Sequence, residues 1–227
     1  MPFEVPDRIN SAVPDAARVA RIREDFMKSA TPVRPLPSNG RMMAMCVGVF
    51  AVLAILLTVP FGFSGFAKLS AANAAVEYSV VGLLALALAG AAIEGMIPGS
   101  RRTLPPAAGV LIAILLLSVT ASLLFPDFAL HDFVRTGIPC LRLGVLCATP
   151  AAALTWIMMR RGYAVDTVSA VVAGGALSGL LGVGVLALHC AVLNAAHIIA
   201  WHVGVVAVTS LFGALLGWVL ARYRYRI

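Results

Sequence analysis

Charge is scarce in this sequence. Of 227 residues only 12% are charged while 61% are hydrophobic, and the mean hydropathy is +0.96. A soluble domain averages about 25% charged and about 45–50% apolar residues, so an ordinary water-soluble domain is excluded. Strict apolar alternation over about ten residues, the mark of a membrane β-barrel, is missing. So is a basic face with aromatic platforms, and the formal net charge of +7 therefore does not indicate direct nucleic-acid binding. There is no His-Glu-x-x-His, no Gly-x-Ser-x-Gly and no phosphate loop, and the chain is expected not to be an enzyme. Neither an inverted repeat nor a pair of helices broken by Gly and Pro within the membrane is present, so a transporter lacks its usual pointer.

What the sequence has instead is six long apolar stretches: Met42–Phe63, Val76–Ile97, Ala107–Phe125, Gly137–Met159, Thr167–His189 and Ile198–Ala221. About 20 apolar residues cross a bilayer as a helix, and lipid offers backbone groups no partner, so such spans must satisfy themselves. The expected fold is all-α: a polytopic bundle of six transmembrane helices, residues 42–227, behind a polar segment, residues 1–41. Fourteen of the 17 Lys and Arg residues flank the odd entrances and even exits of the spans. Lys68 and Arg135 stand on the other side, and Arg142 lies inside the fourth span. The positive-inside rule then places both termini in the cytoplasm. "AANAA" at 71–75 resembles a signal-peptidase site, but the preceding region and the apolar run are both too long for a cleaved leader.

Residues 14–30, "PDAARVARIREDFMKSA", are expected to form one short helix with Val19, Ile22 and Phe26 on one face. "TPVRPLPSNG" follows as an extended, proline-bearing linker. A lone helix of this size is marginal in water. Two readings stand side by side. In one it lies on the lipid, its Arg18, Arg21 and Arg23 meeting anionic head groups; in the other it docks on a cytoplasmic partner.

Gly175 with Gly179, and Gly213 with Gly217, are small residues one turn apart, a spacing that suits close helix packing within the bundle or a homodimer. Glu94, the one carboxylate read as lying well inside a span, is read as a snorkelling or paired charge, and Arg142 as a bundle-facing or snorkelling residue. Four cysteines complete the inventory. Cys140 opens the fourth span, Cys190 closes the fifth, and the topology brings them to one depth at the outer rim. There they can form a disulfide, or hold a soft metal ion together with His189, His197 or His202. They can also be plain small apolar residues.

"GIPCLRLGVLCATPAAALTWIMMRRG", "AGGALSGLLGVGVLALHCAVLNAAHIIAWHVGV", "LFGALLGWVLAR" and the leading "ATPVRPLPS" together resemble the NrsF-type family of bacterial membrane anti-sigma factors. The likeness is most specific at Pro139-Cys140, at Trp156 with Arg160-Arg161-Gly162, at His189-Cys190 and at Gly213–Gly217. It departs after Cys190, where the family usually carries acidic residues and proline and this chain has "AVLNAAH". The resemblance implies that the N-terminal segment restrains an extracytoplasmic-function sigma factor, with Arg18, Val19, Arg21, Ile22, Phe26 and Arg34 contacting it. It also implies cysteines near the periplasmic face, here Cys140 and Cys190, but no particular inducer. From their placement, Cys140 and Cys190 with His189 are expected to sense oxidation or a soft metal in a stress response, and His197 and His202 are read either as accessory ligands or as interfacial polar residues. No cofactor is required. A small transporter or channel, and a membrane thiol oxidoreductase, are the alternatives; neither explains the polar segment of 41 residues.

Overall fold

The computed structural model describes residues 16–29, 37–97, 104–161 and 166–224. The chain divides into two units, Met1–Leu36 and Pro37–Ile227. Among the described residues there are helices and loops and no strand. In the first unit, α1 (Ala16–Ser29) exposes Val19, Ile22 and Phe26, three or four residues apart and hence on one face. Glu24 and Lys28 pair at 2.8 Å one turn apart, an exposed contact of roughly 0.3–0.5 kcal/mol. Arg34 lies outside the described residues.

The second unit contains six helices long and apolar enough to cross a membrane, and the all-α expectation holds. They are α2 (Asn39–Thr58), α3 (Ala71–Gly95), α4 (Pro106–Leu124), α5 (Phe133–Arg161), α6 (Thr167–His189) and α7. The last is composite: a turn at Ala195–His197, a π-helical turn at Ile198–Val203, then Gly204–Arg224. Side chains set the starts. Ser38 accepts from the Arg41 N–H at 3.4 Å, Ser70 from Asn73 at 3.1 Å and Asp166 from Ser169 at 3.0 Å, each relieving one of the unpaired donors of a helix N-terminus. Pro106 opens α4, where its missing N–H is harmless.

Boundaries differ from expectation for local reasons. α2 stops at Thr58 rather than Phe63, because Pro60 cannot continue the ladder and Gly62 turns the chain at φ +80°. α5 begins four residues ahead of Gly137, directly after Asp132 at φ +51°. It then absorbs Pro139 and Pro150 in its interior.

α6 is the axis of the bundle. Its apolar window is 78% buried, against 11% for α2, and it touches each of the other five spans. Leu177, Leu180, Leu186, Val205 and Val206 form the middle of the core with Leu88 of α3. Large apolar side chains such as Ile55, Leu111, Leu123, Leu215 and Phe212 face outward. So much exposed apolar surface would be a liability in water and suits hydrocarbon.

What lets α6 sit so deep is the absence of side chains. A Cβ on Gly175 would stand 2.5 Å from the Thr209 carbonyl oxygen, and one on Gly213 would stand 2.6 Å from that of Val171. At Gly179 and Gly217 it would stand 2.8 Å from the Cα of Val206 and of Val168 respectively. Both small-residue pairs are therefore spent on the α6–α7 contact within one chain, and they give no support to the homodimer. α5 approaches α6 in the same way, Gly182 lying against the Gly144 backbone.

Leucine at Gly175 or Gly213 should destabilise the bundle by roughly 1–3 kcal/mol or more through overpacking. Leucine at Gly48, where nothing lies within 4 Å, should have little effect. Thermal unfolding of the detergent-solubilised chain compares the three, and equal midpoints would contradict the packing described.

Candidate functional site

The N-terminal end of α5 and the C-terminal end of α6 meet at one end of the bundle, next to the start of α7. There the Cys140 and Cys190 sulfurs lie 3.6 Å apart, both as free thiols. Cys190 Sγ is also 3.6 Å from His197 Nε2. One donor atom from each of Cys140, Cys190, His197 and His202 falls within a sphere of contacts no longer than 4.8 Å. Cys190 is buried, and His197 and His202 are each only 2% exposed.

Each element contributes for a definable reason. The π turn matters most. In an α-helix of 3.6 residues per turn, side chains five apart diverge by about 140°. Hydrogen bonds spanning five residues widen the turn, and His197 and His202 come edge to face, with ring centroids 5.3 Å apart. Asn194 anchors this turn: its side-chain oxygen accepts from the His197 N–H at 3.0 Å, and its amide donates to the Ala129 carbonyl at 3.0 Å. The Ala195 N–H donates to the Asp127 carbonyl at 2.8 Å, so the α4–α5 loop is strapped across the start of α7. Trp201 packs on Phe133, ring centroids 5.2 Å apart, and occupies the space that a Cβ on Gly137 would need. Gly137 lies one turn before Cys140, so this contact holds α5 and α7 in register.

The α2–α3 loop grips the end of α6. The Gly65 N–H donates to the His189 carbonyl at 3.1 Å, and the Ser64 hydroxyl donates to the same oxygen at 2.5 Å. Lys68 Nζ donates to the Ala191 carbonyl at 3.3 Å, a cation where the helix dipole favours one. A Cβ on Gly65 would stand 2.5 Å from the Cys190 carbonyl.

His189, named in the sequence beside Cys140 and Cys190, stands outside the cluster. α6 ends on it, and the chain becomes extended at Cys190 (φ −75°, ψ 120°). The His189 ring turns to Phe61, 5.7 Å away between centroids, and its Nδ1 lies 3.4 Å from the Gly62 carbonyl. The imidazoles expected as accessories, His197 and His202, are the ones adjoining the sulfurs. Cys46 and Cys147 are buried and belong to no such group. Arg142, on α5, is exposed, as a residue reaching away from the bundle should be. Glu77 escaped the sequence reading, which gave the interior carboxylate to Glu94. It lies in the second turn of α3, half-buried, and lines a small cavity with Thr120 and Ile198.

Electrostatics favour an ionised sulfur here. The Cys190 thiol is held below the ordinary thiol range, first by the hydrogen bond from Cys140 and then by His197 and His202, against the upward push of burial. Asp127 is also held low, by the Ala129 N–H and the Asn194 amide. An adjacent cleft of about 270 Å³ is lined by Asp127, His131, Thr136, Asn194 and His197.

A family model described as NrsF, negative regulator of sigma F, matches residues 27–223. No curated protein and no solved structure matches the chain. The match contains the whole cluster and Arg34, while Arg18, Val19, Arg21, Ile22 and Phe26 precede it.

A lowered thiol pKa carries a kinetic signature. In a chain lacking Cys46 and Cys147, modification of Cys190 by a small neutral methanethiosulfonate should persist at pH 6, where an ordinary thiol with pKa about 8.5 is almost wholly protonated. Replacing Cys140 and His197 with alanine should move the midpoint of this profile upward. A wild-type midpoint near 8.5 would contradict the electrostatic account.

Proposed function

The chain belongs to the NrsF family of negative regulators of a sigma factor, and on that premise we propose that it is a membrane-held anti-sigma factor whose cysteine pair senses the outside. Residues 1–41 reside in the cytoplasm and hold an extracytoplasmic-function sigma factor. The exposed apolar face of Val19, Ile22 and Phe26 supplies anchors, while Arg18, Arg21 and Arg34 steer an acidic surface. Cys140 and Cys190 face the periplasm, where their oxidation or their capture of a soft metal ion shifts the packing of α5 against α6 and the sigma factor is released into a stress response. The supporting observation is the 3.6 Å approach of the two sulfurs from consecutive spans, in a chain whose basic residues crowd the opposite ends of those spans.

A route for the signal follows from connectivity. The α2–α3 loop holds the carbonyls of His189 and Ala191 on either side of Cys190. α2 is the least buried span and the one that continues from the N-terminal segment. A change of spacing between α5 and α6 at Cys190 therefore pulls on the loop that ends α2. To transmit a signal, the altered packing must favour a state in which the N-terminal segment binds its partner less well; otherwise ligand or oxidant shifts no equilibrium.

Removing residues 1–36 should abolish co-purification of the cognate sigma factor, and Phe26→Asp should weaken it by about 30-fold, the loss of one anchor of roughly 2 kcal/mol. Replacing both Cys140 and Cys190 with serine should leave the sigma-dependent reporter repressed under inducing conditions. Normal induction in that variant would refute sensing by the pair. Impermeant thiol labelling that placed positions 140 and 190 on opposite faces of the membrane would refute the topology.

A further inference from the structure

The cluster at the end of α6 holds more than the two sulfurs, and the surplus is informative. His197 and His202 are each 2% exposed. Nε2 of His202 is buried without a hydrogen-bond partner, and Nε2 of His197 lies beside the Cys190 sulfur. Leaving a polar group buried and unpaired is destabilising. A disulfide between Cys140 and Cys190 would use the sulfurs alone and leave both rings without a role. It would also require the sulfurs to close from 3.6 Å to about 2.05 Å.

A tetrahedral cation keeps the two sulfurs at their present separation and draws the more distant donors in. With metal–sulfur near 2.3 Å and metal–nitrogen near 2.0–2.1 Å, the edges of the tetrahedron are about 3.8 Å between sulfurs and about 3.6 Å from sulfur to nitrogen. The Cys140–Cys190 separation is 3.6 Å, the Cys190–His197 separation is 3.6 Å, and the remaining donor pairs lie within 4.8 Å. We propose that Cys140, Cys190, His197 and His202 form a closed four-donor site for a divalent d¹⁰ cation of the zinc class. This deepens the sensing function proposed above, and rests on it only for the consequence of binding, not for the binding itself.

Charge selects the ion class. Two thiolates and two neutral imidazoles carry two negative charges, which a divalent cation cancels; a monovalent ion would leave one net charge in a dry site at the membrane rim, where it is costly. Binding moves no electrons. Each thiol that still carries a proton surrenders it to water, and two sulfur–metal and two nitrogen–metal bonds form. Two sulfurs and two nitrogens in a tetrahedral array suit zinc over the oxygen-seeking magnesium and calcium. The cleft of about 270 Å³ that reaches His197 past Asp127 and His131 gives the ion an approach, and Asp127 stays ionised there. His189 and Cys147 take no part.

The test uses the full chain in detergent, reduced and freed of metal by chelator, titrated with Co²⁺ and then Zn²⁺. The expected result is one equivalent of Co²⁺ giving visible d–d bands of tetrahedral intensity with a thiolate charge-transfer band, displaced by one equivalent of Zn²⁺. His197→Ala and His202→Ala should each weaken Zn²⁺ binding by about 100-fold or more, at least as much as loss of a supporting group around a metal does. His189→Ala and Cys147→Ser should bind as wild type. Gel filtration and helical circular dichroism establish that each variant is folded. The absence of a tetrahedral cobalt spectrum in the folded chain, or unaltered affinity in both cluster-histidine variants, overturns the site. The two functions fail separately: a chain that binds no Zn²⁺ but still co-purifies with its sigma factor loses only the metal centre, and one that binds Zn²⁺ without retaining a sigma factor loses only the regulatory role.

Discussion

The backbone contact of α6 with α5 and α7 is the constraint on which the rest of the structure depends. At Gly175, Gly179, Gly213 and Gly217 the α6 and α7 helices meet with no side chain between them, and at Gly182 and Gly144 α6 meets α5 likewise. In hydrocarbon there is no hydrophobic drive to bring helices together, so close packing must supply the association. Because these contacts run along most of α6, the depth of each neighbour is fixed relative to its C-terminal end. Cys140, Cys190 and the first turn of α7 arrive at one level as a consequence.

That rim is then locked by polar contacts the apolar spans cannot make. Asn194 and the Ala195 N–H tie the start of α7 to the α4–α5 loop. Ser64, Gly65 and Lys68 satisfy the carbonyls that α6 leaves open at its end, a general need of helix termini. Trp201 wedges against Gly137 and Phe133. The cysteines and histidines thus sit between two straps, one leading to α5 and one leading back to α2. A site held this way is suited to turn a small change in donor spacing into a shift of whole helices, since packed interiors switch between arrangements rather than deform smoothly.

Much of this was legible in the chain. Long apolar runs, prolines in the gaps and the lopsided basic residues yield six spans, and α6 coincides with its expected limits, Thr167–His189. The misplaced ends trace to single residues: Pro60 and Gly62 shorten α2, and Asp132 lets α5 start early. Cys140 and Cys190 were paired from topology alone, because consecutive spans must begin and end at the same face. His189 reads as their partner because it ends the same span at the same depth. Neighbouring residues at a helix terminus leave in different directions once the backbone becomes extended, and adjacency carries no geometry there. His197 and His202 posed the opposite difficulty, since a spacing of five separates two side chains on an α-helix.

The number and length of the spans follow from composition and patterning, because hydrocarbon thickness and the lack of backbone partners in lipid leave a polar-poor chain no other choice. Which donors meet was decided by the tertiary structure alone. The π turn that aligns His197 with His202 is stabilised by Asn194 bonded to Ala129, 65 residues away, and by Trp201 seated on Gly137. Whether the glycine pairs would join two chains or two helices of one was likewise settled only when α7 returned against α6. Both are outcomes of contacts distant along the chain, and local pattern does not encode them.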